Sequence, residues 1–315
     1  MIVTGKRHWW QRILQPGLVL AAPALILYTA FFVWPALQAF YVSLNDWSGF
    51  APKMQFIGLA NFRELFYETL YWRAVANNFI FMIGAGAVTF FFALLFSAVL
   101  SNRRFPMRRF FKTVLFSPYV VSVVAVAVLW TFIYDPSWGL LNTSLSYFAR
   151  LLHRIGLVAA EKPEVGILWL GSWEMAIPSI SAVMVWGGIG FYVVLLMAGI
   201  DRIPDDLYEA ARIDGANERQ NFFHITLPLL KDVLVIAVSI HIIGSLKQFG
   251  LIWAMTRGTN FTHTMETYMY DVAFEPRTMS FRMGYGTSMT VVLFFMVVLL
   301  TFVFNLIMRR VEVEY

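Results

Sequence analysis

Long apolar stretches recur along this 315-residue sequence and leave few folds open to it. A helix needs about 20 mostly apolar residues to cross roughly 30 Å of hydrocarbon. Five stretches satisfy this without interruption, and a sixth, residues 233–253, does so with Lys247 near one end. The uninterrupted stretches are residues 17–41, 78–100, 113–134, 175–200 and 286–308. The pattern predicts an all-α polytopic membrane protein with six transmembrane helices.

The composition also favours a membrane protein and excludes several other classes. Hydrophobic residues make up 59% of the chain and charged residues only 14%, against about 25% charged in typical globular domains. The sequence has no cysteine, which excludes disulfides, thiolate metal sites and cysteine catalysis. Its net charge of only +5 gives no indication of nucleic acid as a partner. The expected surroundings are a lipid bilayer.

Lysine and arginine are distributed unevenly among the connections between spans. Residues 1–15, 101–112, 201–232 and 309–315 together hold 14 of the 24 lysines and arginines, and residues 45–74, 135–174 and 247–282 hold the other ten. Because cytoplasmic connections carry the excess of basic residues, we expect both termini to be cytoplasmic. The largest contribution comes from Arg103, Arg104, Arg108, Arg109 and Lys112. The first apolar stretch is too long for a signal peptide and has no small-residue cleavage site in range, so we expect an uncleaved first span.

Two connections on the predicted outer side show helical periodicity. Asn61, followed three residues later by Glu64, predicts an N-cap and an amphipathic helix. Its apolar positions are Phe62, Leu65, Phe66 and Leu70. A second helix is predicted after a turn at residues 135–139, and its apolar positions are Leu141, Leu145, Phe148 and Leu152. Two interpretations remain for these helices, namely packing at the membrane interface and a landing surface for an external partner.

A charged stretch, residues 203–228, separates the fourth apolar span from the fifth. Asp206 followed by Glu209 predicts an N-cap with a reciprocal acidic residue, opening a helix over residues 207–214. Gly215 can adopt the left-handed conformation that ends a helix. The stretch is therefore predicted to be a short cytoplasmic helix and not an unstructured loop.

A second short helix is predicted over residues 217–225, and Pro228 marks the entry to the fifth span. On the first helix, Leu207, Ala210 and Ala211 form a small apolar stripe. Alanine side chains allow another surface to approach closely. We expect the two helices to lie beneath the bilayer as a unit that is rigid enough to transmit a displacement.

The spacing of residues in this stretch resembles a known family motif. Glu209-Ala210-Ala211 is followed after three residues by Gly215, after nine more by Ile225, and then by Leu227-Pro228. This is similar to the coupling motif of permease subunits in binding-protein-dependent ABC importers, and residues 211–217 resemble its carbohydrate branch. The resemblance assigns ATPase coupling to Asp206, Glu209, Ala210, Ala211, Asp214, Gly215, Ala216, Ile225, Leu227 and Pro228. It implies one transmembrane domain over residues 1–315, with a coupling loop at residues 201–229.

Other parts of the chain extend the resemblance. The segments 57–62, 117–119 and 284–286 are similar to maltose-type and glycerol-3-phosphate-type permeases, in particular to the first permease of the pair. At residues 256–260 the sequence reads Thr-Arg-Gly-Thr-Asn where the family usually has a run of glycines ending in proline. The resemblance therefore leaves the shape of this outer loop open.

The resemblance implies a transport subunit and not an enzyme, located in the cytoplasmic (inner) membrane of a bacterium or archaeon. Its expected partners are a second homologous permease in a heterodimer, a dimer of ATP-binding subunits and an extracytoplasmic solute-binding protein. Glu209 would contact a basic residue in a cleft of the ATPase. The chain has no GxxxxGK[ST] phosphate loop, so we expect ATP and magnesium on the partner and no cofactor here.

Polar residues within the fifth span predict a lining for the solute path. His241, Ser245 and Gln248 are spaced by four and three and share one helix face, and polar groups within spans are commonly functional. The resemblance to the maltose-type permease assigns to the substrate pathway Tyr119, Gly188, Phe191, His241, Ser245 and Gln248. Aromatic rings and hydrogen-bonding groups together suit a sugar. Ordinary packing through small and polar residues is the alternative.

Lys247 has two interpretations. A lysine at the bilayer centre costs roughly 2.5–3.5 kcal/mol, so near the end of a span it is expected to reach the interface. In the second interpretation, Lys247 and His241 attract an anionic saccharide. The charge of the saccharide is therefore left open.

Other function classes fit the sequence less well. A secondary transporter usually has twelve spans or evident inverted repeats, and neither is visible. A membrane enzyme needs a catalytic constellation, and the chain has no HExxH or GxSxG motif. The closest alternative to a saccharide importer is an ABC importer for another small solute, such as an amino acid, a peptide or a polyol.

Overall fold

The computed structural model describes residues 16–101, 105–155, 166–274 and 281–309, and most of them are helical. The helices are α1 (Pro16–Tyr28), α2 (Trp34–Ser43), α3 (Ala60–Tyr67), α4 (Thr69–Ile80), α5 (Gly86–Ser101), α6 (Arg108–Val120), α7 (Val123–Ile133), α8 (Leu140–Arg154), α9 (Trp173–Ile200), α10 (Asp205–Ile213), α11 (Glu218–Asn221), α12 (Leu227–Leu229), α13 (Lys231–Leu246), α14 (Gly250–Met255), α15 (Met265–Phe274) and α16 (Met283–Arg309). Strand β1 (Asn45–Asp46) pairs antiparallel with β2 (Gln55–Phe56). The predicted N-terminal segment 1–15, Arg103 and Arg104 lie outside the described residues.

Four continuous helical runs are long and apolar enough to cross a membrane. These runs are Leu20–Ser43, Thr69–Ser101, Trp173–Ile200 and Met283–Met308. They correspond to the predicted first, second, fourth and sixth spans, and π-helical turns at Thr29–Val33 and Phe81–Ala85 continue the first two. The second run starts well before residue 78, where the prediction placed it. Its helix instead begins after Glu68, whose side chain accepts a hydrogen bond from the backbone N–H of Leu70.

The predicted third span is a bent pair of helices. Helices α6 and α7 meet at 96°. Val121, which follows α6, has an extended backbone with ψ 143°. Pro118 lacks a backbone N–H and so removes one helical hydrogen bond from the last turn of α6. The two halves therefore follow different directions.

The predicted fifth span is also divided. The segment Glu218–Leu229 meets α13 at 68°, and α13 itself ends at Leu246. Residues 247–249 are outside any helix, and the short α14 follows. The prediction of one helix over residues 233–253 was therefore wrong, because the side chains of Asn78 and Thr264 satisfy backbone carbonyls at the break, as described below.

The chain divides into two compact units, of which the first is Met1–Tyr67 with Val272–Val291. Within it, the buried side-chain amide of Asn61 donates to the carbonyl oxygens of Ser43 (2.9 Å) and Asn45 (3.0 Å). The predicted cap at Asn61 was wrong, because α3 begins at Ala60 and the amide is engaged by these distant carbonyls.

Glu64 of the same unit pairs with Arg282. Both guanidinium N–H···O distances are 2.6 Å. These hydrogen bonds hold the pKa of the Glu64 carboxyl below its usual value, and they raise the pKa of Arg282. The predicted helix therefore exists, but it ends at Tyr67 and its acidic residue joins it to the start of α16.

The second unit is Glu68–Asp271 with Val292–Tyr315, and α9 runs through its core. One buried cluster includes Ile180 and Val183 of α9, and another includes Val193, Leu196 and Met197. Small residues let neighbouring helices approach α9 closely. At Gly190 a Cβ atom would overlap the backbone carbonyl of Leu115 on α6.

Helix α8 forms where the second amphipathic helix was predicted. Its inner face is polar: Asn142 and Ser146 are buried, and the Asn142 amide donates to the carbonyl oxygen of Ile167 (2.9 Å). The predicted apolar positions Leu145 and Phe148 are 37% and 56% exposed. Leu145 and Phe148 thus face outward, whereas Leu141 packs against the buried cluster that includes Ile180. Both interpretations of this helix stay open.

Candidate coupling segment and solute cavity

The coupling segment, residues 203–230, begins with α10. Pro204 is its N-cap, and no side chain caps it. The prediction of an N-cap at Asp206 was wrong, since the fixed backbone of Pro204 starts the helix earlier. Asp205 and Asp206 lie in the first turn of α10 instead, where carboxylates interact favourably with the positive end of the helix dipole.

Gly215 ends α10, as predicted. Its φ is +82°, in the left-handed region that glycine adopts without steric cost. The Gly215 N–H donates to the carbonyl oxygen of Arg212 (3.1 Å), and the Ala216 N–H donates to that of Ala211 (2.9 Å). This pair of bonds is a Schellman motif, so the chain turns sharply after α10.

The second part of the segment is less regular than predicted. Asn217 caps α11 in a reciprocal capping box with Gln220. A π-helical turn, Phe222–Thr226, then replaces α-helix before α12. The Tyr208 and Thr226 hydroxyls lie 2.9 Å apart. This hydrogen bond ties the two parts of the segment together.

The residues assigned to coupling divide into an exposed and a partly buried group. The exposed ones are Asp206, Glu209, Ala210, Asp214 and Gly215. The partly buried ones are Ala211, Ala216, Ile225, Leu227 and Pro228. The assignment does not include Ile213 of α10, which is 86% exposed.

Leu230 packs the coupling segment against the helix bundle. Its side chain is fully buried and lies against Gly199 near the end of α9, where a Cβ atom would come within 2.7 Å of it. Helix α13 begins at the next residue, Lys231. The segment is thus packed against α9 and directly precedes α13 in the chain.

A cavity of about 310 Å³ lies among α5, α6, α9 and α13. All six residues predicted for the substrate pathway line it, namely Tyr119, Gly188, Phe191, His241, Ser245 and Gln248. The structure therefore brings together side chains from three predicted spans. The sequence did not indicate Thr89 or Tyr192, which also line this cavity. Each lies in an apolar run, and no other polar residue stands three or four positions away from it.

His241 is held by three protein groups. Its Nε2 lies 3.0 Å from the Met82 carbonyl oxygen, which can only accept, so Nε2 carries the proton. Nδ1 then accepts from the Tyr192 hydroxyl (3.4 Å), and Ser245 Oγ is 3.2 Å from Nε2. Gly86 makes this arrangement possible, since a Cβ atom there would overlap the imidazole. Both ring nitrogens are thus already engaged.

The other polar groups of the lining are available to a ligand. Within the described part of the chain, neither the Gln248 amide nor the Tyr119 hydroxyl has a hydrogen-bond partner. The Tyr119 and Phe191 rings stack with centroids 4.7 Å apart and planes 23° apart. The cavity therefore combines a flat aromatic surface with free hydrogen-bonding groups.

The Asn78 side chain stabilises the non-helical residues 247–249 that follow α13. This fully buried residue donates through its amide to the carbonyl oxygens of Ser245 (2.8 Å) and Leu246 (3.1 Å). Its Oδ1 accepts from the backbone N–H of Met265 (2.9 Å), and the Thr264 hydroxyl donates to the Gln248 carbonyl (2.6 Å). The carbonyls at the end of α13 are satisfied without a further helical turn.

The loop at residues 256–260 is a compact turn. Arg257, Gly258 and Asn260 have positive φ angles of 52°, 77° and 53°. The hydroxyls of Thr256 and Thr262 are 2.6 Å apart. The resemblance did not predict the shape of this loop. Threonine hydroxyl contacts and residues in the left-handed conformation determine it.

Lys247 lies outside the cavity lining. It is exposed and directly follows the end of α13. Glu266 on α15 is near enough for the lysine charge to lower its pKa, although burial has the larger effect and raises it. Among the residues that the structure describes, no lysine, arginine, aspartate or glutamate lines the cavity.

Comparison with known proteins places the chain in a family. Residues 90–313 match the family described as the binding-protein-dependent transport system inner membrane component. The chain belongs to this family. The permease is thus a transport subunit of an ABC importer, in which a partner ATPase hydrolyses ATP. Its all-α, polytopic fold agrees with the sequence prediction.

Individual relatives cover most of this permease. It is 34% identical over 275 residues to the probable ABC transporter permease protein YurN of Bacillus subtilis (strain 168), covering 86% of this chain and 89% of that protein. It is 32% identical over 280 residues to the diacetylchitobiose uptake system permease protein NgcF of Streptomyces coelicolor (strain ATCC BAA-471 / A3(2) / M145), covering 85% and 75%.

A solved structure shares the fold of this permease. It is a chain of a bacterial ABC transporter involved in the import of the acidic polysaccharide alginate, with a TM-score of 0.78 and 22% sequence identity. The match covers 96% of this chain and 99% of that chain. At this identity, the likeness extends to the fold alone.

Proposed function

We propose that this permease imports an uncharged saccharide through the cavity between α5, α6, α9 and α13. The observation that carries the proposal is the composition of the lining. The lining combines an aromatic stack, a free amide and a free phenol, and none of its described residues is a lysine, arginine, aspartate or glutamate. Sugars have apolar ring faces and hydroxyl edges, and this lining complements both.

The missing charges favour a neutral sugar over an acidic one. His241 cannot donate freely because its nitrogens are engaged by Met82, Tyr192 and Ser245. The Lys247 ammonium group does not neutralise a ligand in the cavity, since Lys247 is exposed and outside the lining. A carboxylate in this cavity would therefore lose its hydration without gaining a cation from this chain. The relative NgcF is a diacetylchitobiose uptake system permease, and diacetylchitobiose is an uncharged saccharide.

The proposed arrangement in the membrane has six spans, counting each bent pair as one, with both termini and the coupling segment in the cytoplasm. The membrane is the inner membrane of a bacterium or archaeon. The proposed assembly contains a second homologous permease, a dimer of ATP-binding subunits that holds ATP and magnesium, and a solute-binding protein outside. The exposed face of α10, with Glu209, Ala210 and Ile213, is the proposed contact with the ATPase.

The coupling segment and the cavity are joined by one helix. Movement of α10 reaches Thr226 through Tyr208 and reaches α9 and α13 through Leu230. Helix α13 then carries the movement to His241 and Ser245 without interruption. ATP-driven closure of the partner subunits would in this way reorient the solute-contacting face.

The test is uptake by the reconstituted complex with its solute-binding protein. We expect neutral oligosaccharides to stimulate ATPase activity and to be taken up, while uronate oligosaccharides of the same length are not. Equal stimulation by the uronates would contradict the uncharged substrate. Stimulation by an amino acid and by no saccharide would contradict the saccharide itself.

A variant links the uptake to the cavity. Gln248→Ala removes the free amide of the lining, and we expect KM for uptake to rise about tenfold, as for the loss of one hydrogen bond of about 1.4 kcal/mol. Gln55→Ala, in β2 of the other unit, is the control and should leave KM unchanged. An unchanged KM in Gln248→Ala would place the solute elsewhere.

A further inference from the structure

A second cavity, of about 600 Å³, lies at the start of α6 and shares no lining residue with the solute cavity. The described residues that line it are Met107, Arg108, Arg109, Lys112 and Asp201. Three cationic side chains thus face one carboxylate. The lining carries an excess of two positive charges, so its complement is an anion.

The carboxylate of Asp201 neutralises only part of this charge. It accepts from the Arg108 guanidinium at 3.0 Å. Within the described residues, Arg109 and Lys112 have no acidic partner. Two cations are therefore left beside a cavity large enough to admit a phosphate group.

Exposed apolar side chains continue from this basic cluster along α6. Phe110 is 55% exposed, Phe111 42% and Val114 49%. A small soluble anion would neutralise the cations and leave these side chains uncovered. An amphiphile with a phosphate head and an acyl chain would cover both.

We propose that this cavity binds the phosphate of an anionic phospholipid, with an acyl chain along the exposed apolar face of α6. The inference rests on the proposed orientation, which puts the start of α6 at the cytoplasmic surface. Anionic lipids attract basic residues there by about 1 kcal/mol each. Arg109 and Lys112 hold the phosphate, and Asp201 keeps Arg108 directed at the same cavity.

Native mass spectrometry of the detergent-solubilised transporter complex, titrated with phosphatidylglycerol, tests the proposal. We expect Arg109→Gln/Lys112→Gln to weaken phosphatidylglycerol binding about 25-fold, or about fivefold for each basic residue. Arg150→Gln/Arg154→Gln on α8 removes the same charge and should have no effect. Arg109→Lys/Lys112→Arg retains the charge and should retain the binding.

Two further binding measurements identify the ligand. Phosphatidylcholine should bind equally to the original protein and to Arg109→Gln/Lys112→Gln, and millimolar inorganic phosphate should not displace phosphatidylglycerol. Displacement by inorganic phosphate would assign the cavity to a soluble phosphate and overturn the lipid. An equal loss of binding in the α8 variant, or no loss in either, would also overturn it. These measurements contain no saccharide or ATP, so their failure is distinct from a failure of saccharide import.

Discussion

The segments before and after α13 differ in exposure and in side-chain hydrogen bonding. Before its start, the coupling segment exposes Glu209 and Ile213, and few side-chain hydrogen bonds hold α10 to its surroundings. After its end, the fully buried Asn78 binds the carbonyls of Ser245 and Leu246. The first end suits a surface that meets another subunit, and the second fixes the geometry of a cavity.

This difference determines what a substitution does at each end. At the exposed end, a new side chain changes what binds there and hardly alters the free energy of unfolding. At the buried end, a lost hydrogen bond leaves polar groups unpaired away from water, which is costly. Transport should therefore fail for different reasons at the two ends, and stability measurements distinguish them.

Glu209→Lys should have the largest effect on transport. Reversing a charge at an interface costs several kcal/mol, so we expect uptake to fall at least about 100-fold. Its midpoint of thermal unfolding should stay the same, because Glu209 is exposed. Glu218→Lys on α11 is the matched control, with the same charge change, and should keep most of the uptake. Normal uptake by Glu209→Lys would contradict the role of α10 as the docking helix.

Asn78→Ala should lower stability and also disturb the cavity. It leaves the carbonyls of Ser245 and Leu246 and the N–H of Met265 unpaired, and we expect a loss of about 3 kcal/mol. Because Ser245 lies just before the break and Gln248 lies within it, KM for uptake should rise as well.

Asn77→Ala is the control for that prediction. The Asn77 amide donates to the carbonyls of Phe261 (2.6 Å) and His263 (2.9 Å), away from the cavity. We expect its thermal midpoint to fall in a similar way, with KM unchanged. The same KM in both variants would mean that Asn78 has no particular influence on the solute site.

The sequence predicted the exposed end better than the buried one. Gly215 follows the local rule for a helix C-terminus, so its position could be read from neighbouring residues, although the N-cap predicted at Asp206 was wrong. The hydrogen bonds of Asn78 join residues 167 and 168 positions apart in the chain, and no periodicity indicates them. For the same reason, Asn61 looked like a cap when its amide in fact binds distant carbonyls.

Gly86→Ala should disturb the cavity without changing any polar group. The added Cβ atom would overlap the His241 imidazole, and such overpacking typically costs about 1–3 kcal/mol. We expect KM for uptake to rise several-fold as His241 is displaced. Gly84→Ala adds the same methyl group to open space in the adjacent turn and should leave KM unchanged. Equal KM values for the two variants would indicate that His241 can shift without consequence.

Gly215→Ala should have the smallest effect, at the exposed end. Alanine in the left-handed conformation costs about 1–2 kcal/mol, and nothing surrounds Gly215 that a Cβ atom could strike. We expect a slight fall in the thermal midpoint and a partial loss of ATPase in co-purification, because the turn after α10 would relax. Gly215→Asn should recover most of both, since asparagine tolerates this conformation. If asparagine were no better than alanine, the glycine would be required for space against the partner and not for its φ angle, and the coupling end would depend on close packing as much as the cavity end does.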